Sequence, residues 1–302
     1  MTEETKAWHV EECDVDYPGQ RFLMLQEEVL CDIQSEFQNI KVFKHKKFNT
    51  VLALDGCVQV TTYDEFLYQE MLTYLPLCSV SEPKKVLVVG GGDGGIVREL
   101  LKDSRVEEII LVEIDKKVME VCKKHIPSMG QYLDYKKVKV IVGDAKEYIK
   151  TCDDKFDVVI LDVTDYAISD SDEENQLLGK DFYSQLKQIM NDGGVISYQA
   201  FSPYQNNDLL KTEIENMRAG AGMICYGYVP VPSFPNGMIG ILFGRITKEI
   251  DKTYKRLDIP VFKISPKKAK DMGLRCYYDR YHESSCTLPL EFCSWFEENC
   301  SM

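Results

Sequence analysis

The sequence predicts an α/β fold: a mainly parallel sheet with helices on both faces over residues 81–302, preceded by a small antiparallel β domain over residues 1–80. Three observations predict it. Beyond Pro83, apolar runs that read as buried strands alternate with helical stretches. The first of these runs, Val86-Leu-Val-Val89, leads straight into five glycines and one carboxylate, Gly90-Gly-Gly-Asp-Gly-Gly95. Before Pro83 the chain carries mostly short strand signals and a hairpin-turn dipeptide.

The elements follow in order. Phe22-Leu-Met-Leu-Gln26, Ile40-Lys-Val-Phe43 and Val51-Leu-Ala-Leu54 are β-type runs, and Asp55-Gly56 is a hairpin turn before the alternating Val58-Gln-Val-Thr61. Asp64 to Leu75 carries a helical pattern with Phe66, Met71 and Leu75 on one side. Strands are expected at 86–89, 109–113, 138–142 and 157–161, followed by helices near 94–102, 115–125, 144–151 and 180–190. Gly193-Gly194 reads as a turn into a strand over 195–199. Strands 225–231 and 238–244 flank the turn cluster Ser233-Phe-Pro-Asn-Gly237 and predict an antiparallel hairpin at the sheet edge. An amphipathic helix is expected over roughly 289–299, and Ser169 to Glu174 reads as an exposed acidic loop. The βαβ rhythm predicts a parallel sheet with helices on both faces.

Composition narrows the functional classes. Lysine and arginine number 36 against 49 acids, a net charge of −13, which disfavours nucleic acid and anionic membranes and favours polycations. The 11 cysteines carry no C-x-x-C pair, and the N-terminus lacks a signal-peptide core, so reduced thiols in a cytoplasmic protein are expected. The four histidines show no ligand spacing, so no metal site is expected. No apolar run approaches the ~20 residues of a membrane span.

The chemistry is written at the strand ends. Ligands of an open parallel sheet bind outside the carboxyl ends of its strands. Here those ends deliver Asp93, Glu113 with Asp115, Asp144, and Asp162 with Asp165. Each acid alone is often only a helix N-cap or a turn residue, and for Asp144 and Asp115 the cap explanation stands level with the ligand one. Four strands in register make a cluster, and clustered anions need a cation. Gly90, Gly92 and Gly95 satisfy the dinucleotide pattern, but Asp93 would repel a pyrophosphate. Glu113 suits ribose hydroxyls and Asp144-Ala145 an adenine amino group. Together these residues describe a Rossmann-like, methyltransferase-type sheet that binds a sulfonium nucleoside with a cationic arm.

Gly90-Gly-Gly-Asp-Gly-Gly95 resembles the signature of the aminopropyltransferases, the spermidine and spermine synthases. The resemblance runs nearly the whole length: Trp8 with Glu11, Pro18-Gly-Gln20, Gln26, Leu54-Asp-Gly-Cys-Val-Gln-Val-Thr61, Asp64-Glu-Phe-Leu-Tyr-Gln-Glu70, Pro76-Leu-Cys-Ser79, Val112-Glu-Ile-Asp115, Gly143-Asp144, Gly237 to Gly240, Tyr277-Tyr-Asp279, His282 and Leu288-Pro289. It implies transfer of the aminopropyl group of decarboxylated S-adenosylmethionine to putrescine, giving spermidine and methylthioadenosine. The nucleoside is a co-substrate, so no resident cofactor and no metal are implied. It implies Asp162 as general base and Tyr68 as the group orienting the attacking amine. Donor contacts fall to Gln26, Gln59, Gly91, Asp93, Glu113, Asp144 and Ala145. Acceptor contacts fall to Trp8, Glu11, Tyr68, Asp165, Gln199, Phe201 and Phe234. It further implies a homodimer or homotetramer joined through the N-terminal β domain. A half-buried core tyrosine and a turn aspartate remain the simpler accounts of Tyr68 and Asp162 taken alone.

The chain departs from the family on the acceptor side. Asp162-Val-Thr-Asp165 lacks the Pro-x-Gly-Pro-Ala segment that usually follows, Gln199-Ala-Phe201 stands where Gln-Gly-Glu is usual, and Ser233-Phe-Pro235 where Tyr-Pro is. An ammonium deprived of a charge-assisted partner loses about 1.5–3 kcal/mol, against about 0.5–2 kcal/mol from an aromatic face. The expectations are therefore an active aminopropyltransferase, or alternatively a relative with an altered, longer polyamine acceptor or a non-catalytic partner subunit. A polyamine N-methyltransferase is disfavoured because ordinary S-adenosylmethionine brings a carboxylate against Asp93, and a nicotinamide dehydrogenase because of its pyrophosphate.

Overall fold

Every second side chain of the strand before the glycines faces the same way, and this alternation builds the two halves of the core. In the computed structural model, which describes residues 7–13, 17–163, 177–204, 206–247 and 257–300, Val86 and Val88 pack into one apolar layer and Leu87 and Val89 into another. Ile109 and Leu111 divide from Ile110 and Val112 in the same way, as do Val158 and Ile160 from Val159 and Leu161. Strands buried on both faces read as continuous apolar runs, which is why the sheet is legible in the sequence.

The N-terminal unit contains β1 (Ala7–Glu11), β2 (Phe22–Gln26), β3 (Glu28–Gln34), β4 (Asn39–His45), β5 (Asn49–Leu54) and β6 (Cys57–Thr61). β1 and β2 pair as a ribbon, and β3 to β6 form an antiparallel meander. The β5–β6 turn places Asp55 at φ 47° and Gly56 at φ 85°, as the Asp-Gly dipeptide requires. Strand β1 escapes a sequence reading because its polar residues His9 and Glu11 are the buried ones while Trp8 and Val10 are exposed, and β3 because Glu28, Asp32 and Gln34 interrupt its apolar run.

The larger unit runs α1 (Glu65–Ser79), β7 (Lys85–Gly90), α2 (Gly95–Leu101), β8 (Glu108–Glu113), α3 (Lys116–His125), α4 (Pro127–Gly130), β9 (Val138–Val142), α5 (Ala145–Thr151), β10 (Phe156–Asp162), α6 (Lys180–Gln188), β11 (Met190–Ala200), α7 (Asn207–Met217), β12 (Met223–Pro230), β13 (Met238–Arg245), α8 (Pro266–Asp271), α9 (Asp279–Ser285) and α10 (Leu290–Cys300). The sheet order is β12-β13-β11-β10-β7-β8-β9. The strands β11, β10, β7, β8 and β9 run parallel, and β13 and β12 are antiparallel to them at one edge, as expected. From β7 the chain winds outward through β8 to β9 and then returns to β10 on the other side. The gap between the ends of β7 and β10 is the switch point at which such sheets bind ligands.

Two local readings change. Gly193-Gly194 lies inside β11, which begins at Met190; the pairing with β10 shifts register between Phe156 and Val158, so the glycines form an irregularity within a strand. Helix α1 runs four residues beyond the expected end and is buried on nearly every side, against β10 to β13 and α2. Pro76 sits inside it without breaking it. The carbonyl of Leu72, which Pro76 has no N–H to satisfy, accepts instead from Ser197 Oγ at 3.2 Å. A division at residues 80/81 leaves α1 with β1–β6, although it packs against α2 and the strands β10 to β13.

Gly90 tests how tightly β7 and β10 close. Its φ is +76°, and a Cβ there would fall well inside contact distance of the Asp162 carbonyl. Gly90→Ala is expected to destabilise the fold by at least about 2 kcal/mol in urea unfolding; a smaller change would show that the loop can relax away from β10.

Candidate active site

The glycine loop is held open by left-handed turns. Gly90, Gly91 and Gly94 have φ of 76°, 70° and 84°. The Gly91 N–H donates to the Asp162 carbonyl at 2.9 Å, which ties the loop to the end of β10. Asp93, at the loop's tip, accepts from Gly95 N at 2.7 Å and from Gln69 Nε2 at 2.9 Å. Gln69 lies fully buried in α1, one residue after Tyr68, and its amide fills the space that a side chain at Gly95 would take.

Glu113, at the end of β8, accepts from Gly92 N at 3.1 Å and Asp115 N at 2.8 Å. Asp162, at the end of β10, accepts from the Tyr68 hydroxyl at 2.5 Å. The same hydroxyl lies 2.7 Å from Gln199 Oε1, and Gln199 Nε2 donates to the Val163 carbonyl at 2.8 Å. Asp144 caps α5 through the Lys146 N–H at 2.7 Å. Asp115 caps α3 and also accepts from Ser35 and Gln38 of the N-terminal unit, so its carboxylate joins the two units.

These ends surround a cavity of about 770 Å³. Its lining includes Gln59, Tyr68, Gly91, Asp93, Glu113, Asp144, Ala145, Asp162 and Gln199. It also includes residues the sequence did not single out, among them Gln38 of the N-terminal unit and Asp181 and Gln185 of α6. Their sequence neighbourhoods carry no motif; only folding brings them together. Other expected site residues lie elsewhere. Trp8 and Gln26 sit on β1 and β2, outside this lining, and Glu11 is buried against Tyr17 and the Val58 N–H. Phe201 packs in the apolar layer with Tyr198 and Tyr226, its N–H donating to Glu213 and its carbonyl accepting from Tyr226. Phe234 stands behind Tyr68, with ring centroids 5.9 Å apart. Asp165 and the acidic loop Ser169 to Glu174 lie outside the described residues.

Burial decides the electrostatics. Asp93 is pushed up to about 7 by burial first and by the charge of Asp162 second. Glu113 is raised to about 7, again chiefly by burial. Asp162 is raised to about 6 by burial, against the lowering effect of the Tyr68 hydrogen bond and with a further rise from Glu113. None of the three forms an ion pair with a described lysine, arginine or histidine. The cavity thus offers concentrated negative potential that a cationic ligand would satisfy. Among the described residues no group of three or more histidines, cysteines and acids is placed to hold a metal ion.

Comparison with known proteins agrees with this geometry. Residues 65–253 match the spermine/spermidine synthase domain, and residues 7–62 match the spermidine synthase tetramerisation domain. The spermidine synthase of Dictyostelium discoideum is 37% identical over 276 residues, covering 90% of this chain and 92% of the relative. The spermine synthase of Arabidopsis thaliana is 36% identical over 275 residues, covering 90% of this chain and 75% of the relative. A crystal structure of spermidine synthase in complex with the transition state analogue AdoDATO matches with a TM-score of 0.82 at 27% identity, covering 98% of this chain and 95% of that one.

The raised carboxylates carry a stability cost with a definite sign. A folded-state value of about 7 for Asp93, against 3.8 in the unfolded chain, means that the folded form binds the extra proton between those pH values, so stability falls as pH rises through that window. Asp93→Asn should therefore unfold at higher urea than the parent at pH 7.5, with the gap closing towards pH 4. A variant less stable than the parent at pH 7.5 would contradict this account of the site.

Proposed function

Because the chain belongs to the spermine/spermidine synthase family and is an aminopropyltransferase-type enzyme, we propose that it transfers the aminopropyl group of decarboxylated S-adenosylmethionine to putrescine, giving spermidine and methylthioadenosine. The observation that carries the reading is the row of carboxylates Asp93, Glu113 and Asp162 along one cavity, Glu113 buried and the other two partly buried, without described ion-pair partners. Asp93 takes the propylammonium arm of the donor, and its charge penalises a ligand that keeps its carboxylate. Glu113 takes the ribose hydroxyls, and Asp144 with Ala145 the adenine edge. Gln59 borders the same space. Two cations are thereby held together that would repel each other in water.

Asp162 is the general base. An amine has a solution pKa near ~10 and reaches the site protonated. It must lose a proton to attack the carbon attached to the sulfonium, and the sulfur leaves with the bonding electron pair as neutral methylthioadenosine. A carboxylate held near about 6 is ionised at neutral pH yet basic enough to accept that proton. Tyr68, donating to it at 2.5 Å, fixes its rotamer and faces the incoming nitrogen. The donor carries its own leaving group, so the displacement requires no resident cofactor.

Phe234 behind Tyr68 favours a second reading of the acceptor: a longer or more apolar polyamine in place of putrescine. Assembly into a dimer or tetramer belongs to the proposal as well, through the ribbon on which Trp8, Val10 and Leu23 are about half exposed. Leu23→Glu should then reduce the mass measured by light scattering, and an unchanged mass would remove that part. No described helix is long and apolar enough to cross a membrane, and a cytoplasmic enzyme is the proposed setting.

The central test is methylthioadenosine release from decarboxylated S-adenosylmethionine with a panel of di- and polyamines. Release with putrescine supports the first reading, release only with longer amines the second, and none with any amine sinks both. Asp162→Asn should lower kcat by about 10²–10⁴-fold while calorimetry still detects methylthioadenosine. The parent's kcat/KM should fall as pH drops through about 6, where Asp162 gains its proton.

A further inference from the structure

The Tyr68 hydroxyl has a single proton to give and faces two acceptors. Asp162 Oδ1 lies 2.5 Å from it and Gln199 Oε1 2.7 Å. The Gln199 amide has one possible orientation. Its Nε2 donates to the Val163 carbonyl at 2.8 Å, and a carbonyl only accepts, so Oε1 is the atom turned to the phenol. Gln199 is itself buried in β11, paired with Ile241 of β13. Asp162, Tyr68 and Gln199 thus form a row of three oxygens at hydrogen-bond distance, and such a row is complete only with a proton in each gap. The phenol supplies one. The other comes from a protonated Asp162, which donates to the phenol oxygen while the phenol turns its own proton to Gln199.

The row therefore has two arrangements. With Asp162 ionised, the phenol donates to the carboxylate, and the phenol oxygen and Gln199 Oε1 meet without a proton between them. With Asp162 protonated, both gaps are filled. An acceptor on the far side of the phenol weakens what the ionised carboxylate draws from it and keeps a hydrogen bond for the protonated one. Both effects make Asp162 a stronger base. The other described charged groups that act on Asp162 are Asp93 of the glycine loop and Glu113 at the end of β8, and they repel its ionised form through space.

We propose that Gln199 is a positioning residue: by accepting from the Tyr68 hydroxyl it lets that hydroxyl reverse its hydrogen bond to Asp162 when Asp162 takes the proton of the attacking amine. The inference rests on the general-base reading given above and adds a residue that acts on the base through the phenol. The amine N–H bond breaks and its electron pair stays on nitrogen, which bonds the carbon as the sulfur leaves with the C–S pair. The proton passes to Asp162. The phenol keeps its own proton and changes only the acceptor.

The pH dependence of methylthioadenosine release, with the amine that the parent turns over best, tests it. Gln199→Met keeps the length of the side chain and removes the acceptor. The acid limb of its kcat/KM profile should move down by about 0.5–1 pH unit, and kcat should fall about three- to tenfold with KM for donor and amine unchanged. Gln199→Glu, which keeps an acceptor towards the phenol and adds charge when ionised, should move the limb up. In a Tyr68→Phe background, Gln199→Met should add no shift. A carbon-13 titration of the Asp162 carboxyl, assigned through Asp162→Asn, reads the same shifts in the ligand-free protein. An unmoved limb in Gln199→Met overturns the proposal, as does a shift that survives in Tyr68→Phe. A raised amine KM with an unmoved limb overturns it too and assigns Gln199 to the amine. A parent that releases no methylthioadenosine overturns the reading of the reaction, while the carbon-13 titration still decides whether Gln199 acts on Asp162 through Tyr68.

Discussion

Three carboxylates on one cavity, none with a described ion-pair partner, are the constraint from which the rest of the site follows. Asp93, Glu113 and Asp162 leave three different segments of chain and meet where β7 and β10 part. Each is held by donors of the scaffold: backbone N–H groups for Asp93 and Glu113, a phenol for Asp162. Those donors favour the ionised form, and burial with mutual repulsion opposes it. Asp93 and Glu113, each raised to about 7, are therefore poised between their protonated and ionised forms near neutrality, while Asp162, at about 6, is mostly ionised. A cationic ligand would shift that balance further towards the ionised forms.

Rigid surroundings keep such a site from relaxing. A flexible loop would let the acids separate into water. Here Gly91 is bonded to the end of β10, and Gln69 clamps Asp93 from behind. Helix α1, which supplies both Gln69 and Tyr68, is buried on nearly all sides and fixed at its C-terminal half by the bond from Ser197 to Leu72. Glu70 on the same helix accepts from the backbone N–H groups of Arg275, Cys276 and Tyr277, each at 2.8 Å, which anchors the C-terminal segment. The stability invested in α1 thus secures the geometry of two residues on the cavity.

How much of this is legible in the chain depends on the range of the interaction. The parallel sheet is, because β7, β8 and β10 are apolar on both faces and each ends in glycine or acid. The glycine loop is legible for the same local reason. Gly193-Gly194 is misleading, since glycine marks a turn and an irregularity inside a strand alike, and only the register of β10 against β11 separates them. Acids at strand ends have the same ambiguity: Asp115 proves to cap a helix and bridge the units, whereas Asp144 caps a helix and faces the cavity. Gln69 is beyond sequence reading, because an amide declares nothing until its partners are known. Phe201 shows the converse: its place after Gln199 suggests the cavity, but its ring is turned into the apolar layer beneath.

The two halves of the site also differ in how they are built. The groups proposed for the donor sit at the ends of neighbouring parallel strands, where the sheet's own register sets their spacing. The side proposed for the acceptor joins Tyr68 of α1 and Gln199 of β11 to Phe234 in the β12–β13 connection. That connection is fastened to the start of α1 by Asp64, which accepts from Ser233 N at 2.8 Å and Ser233 Oγ at 2.9 Å. A substitution in the connection changes what lies behind Tyr68 without disturbing any strand register. The wall proposed for the acceptor can therefore change while the wall proposed for the donor keeps its glycines and acids, and these are the places where the motifs of the chain depart from and follow those it resembles.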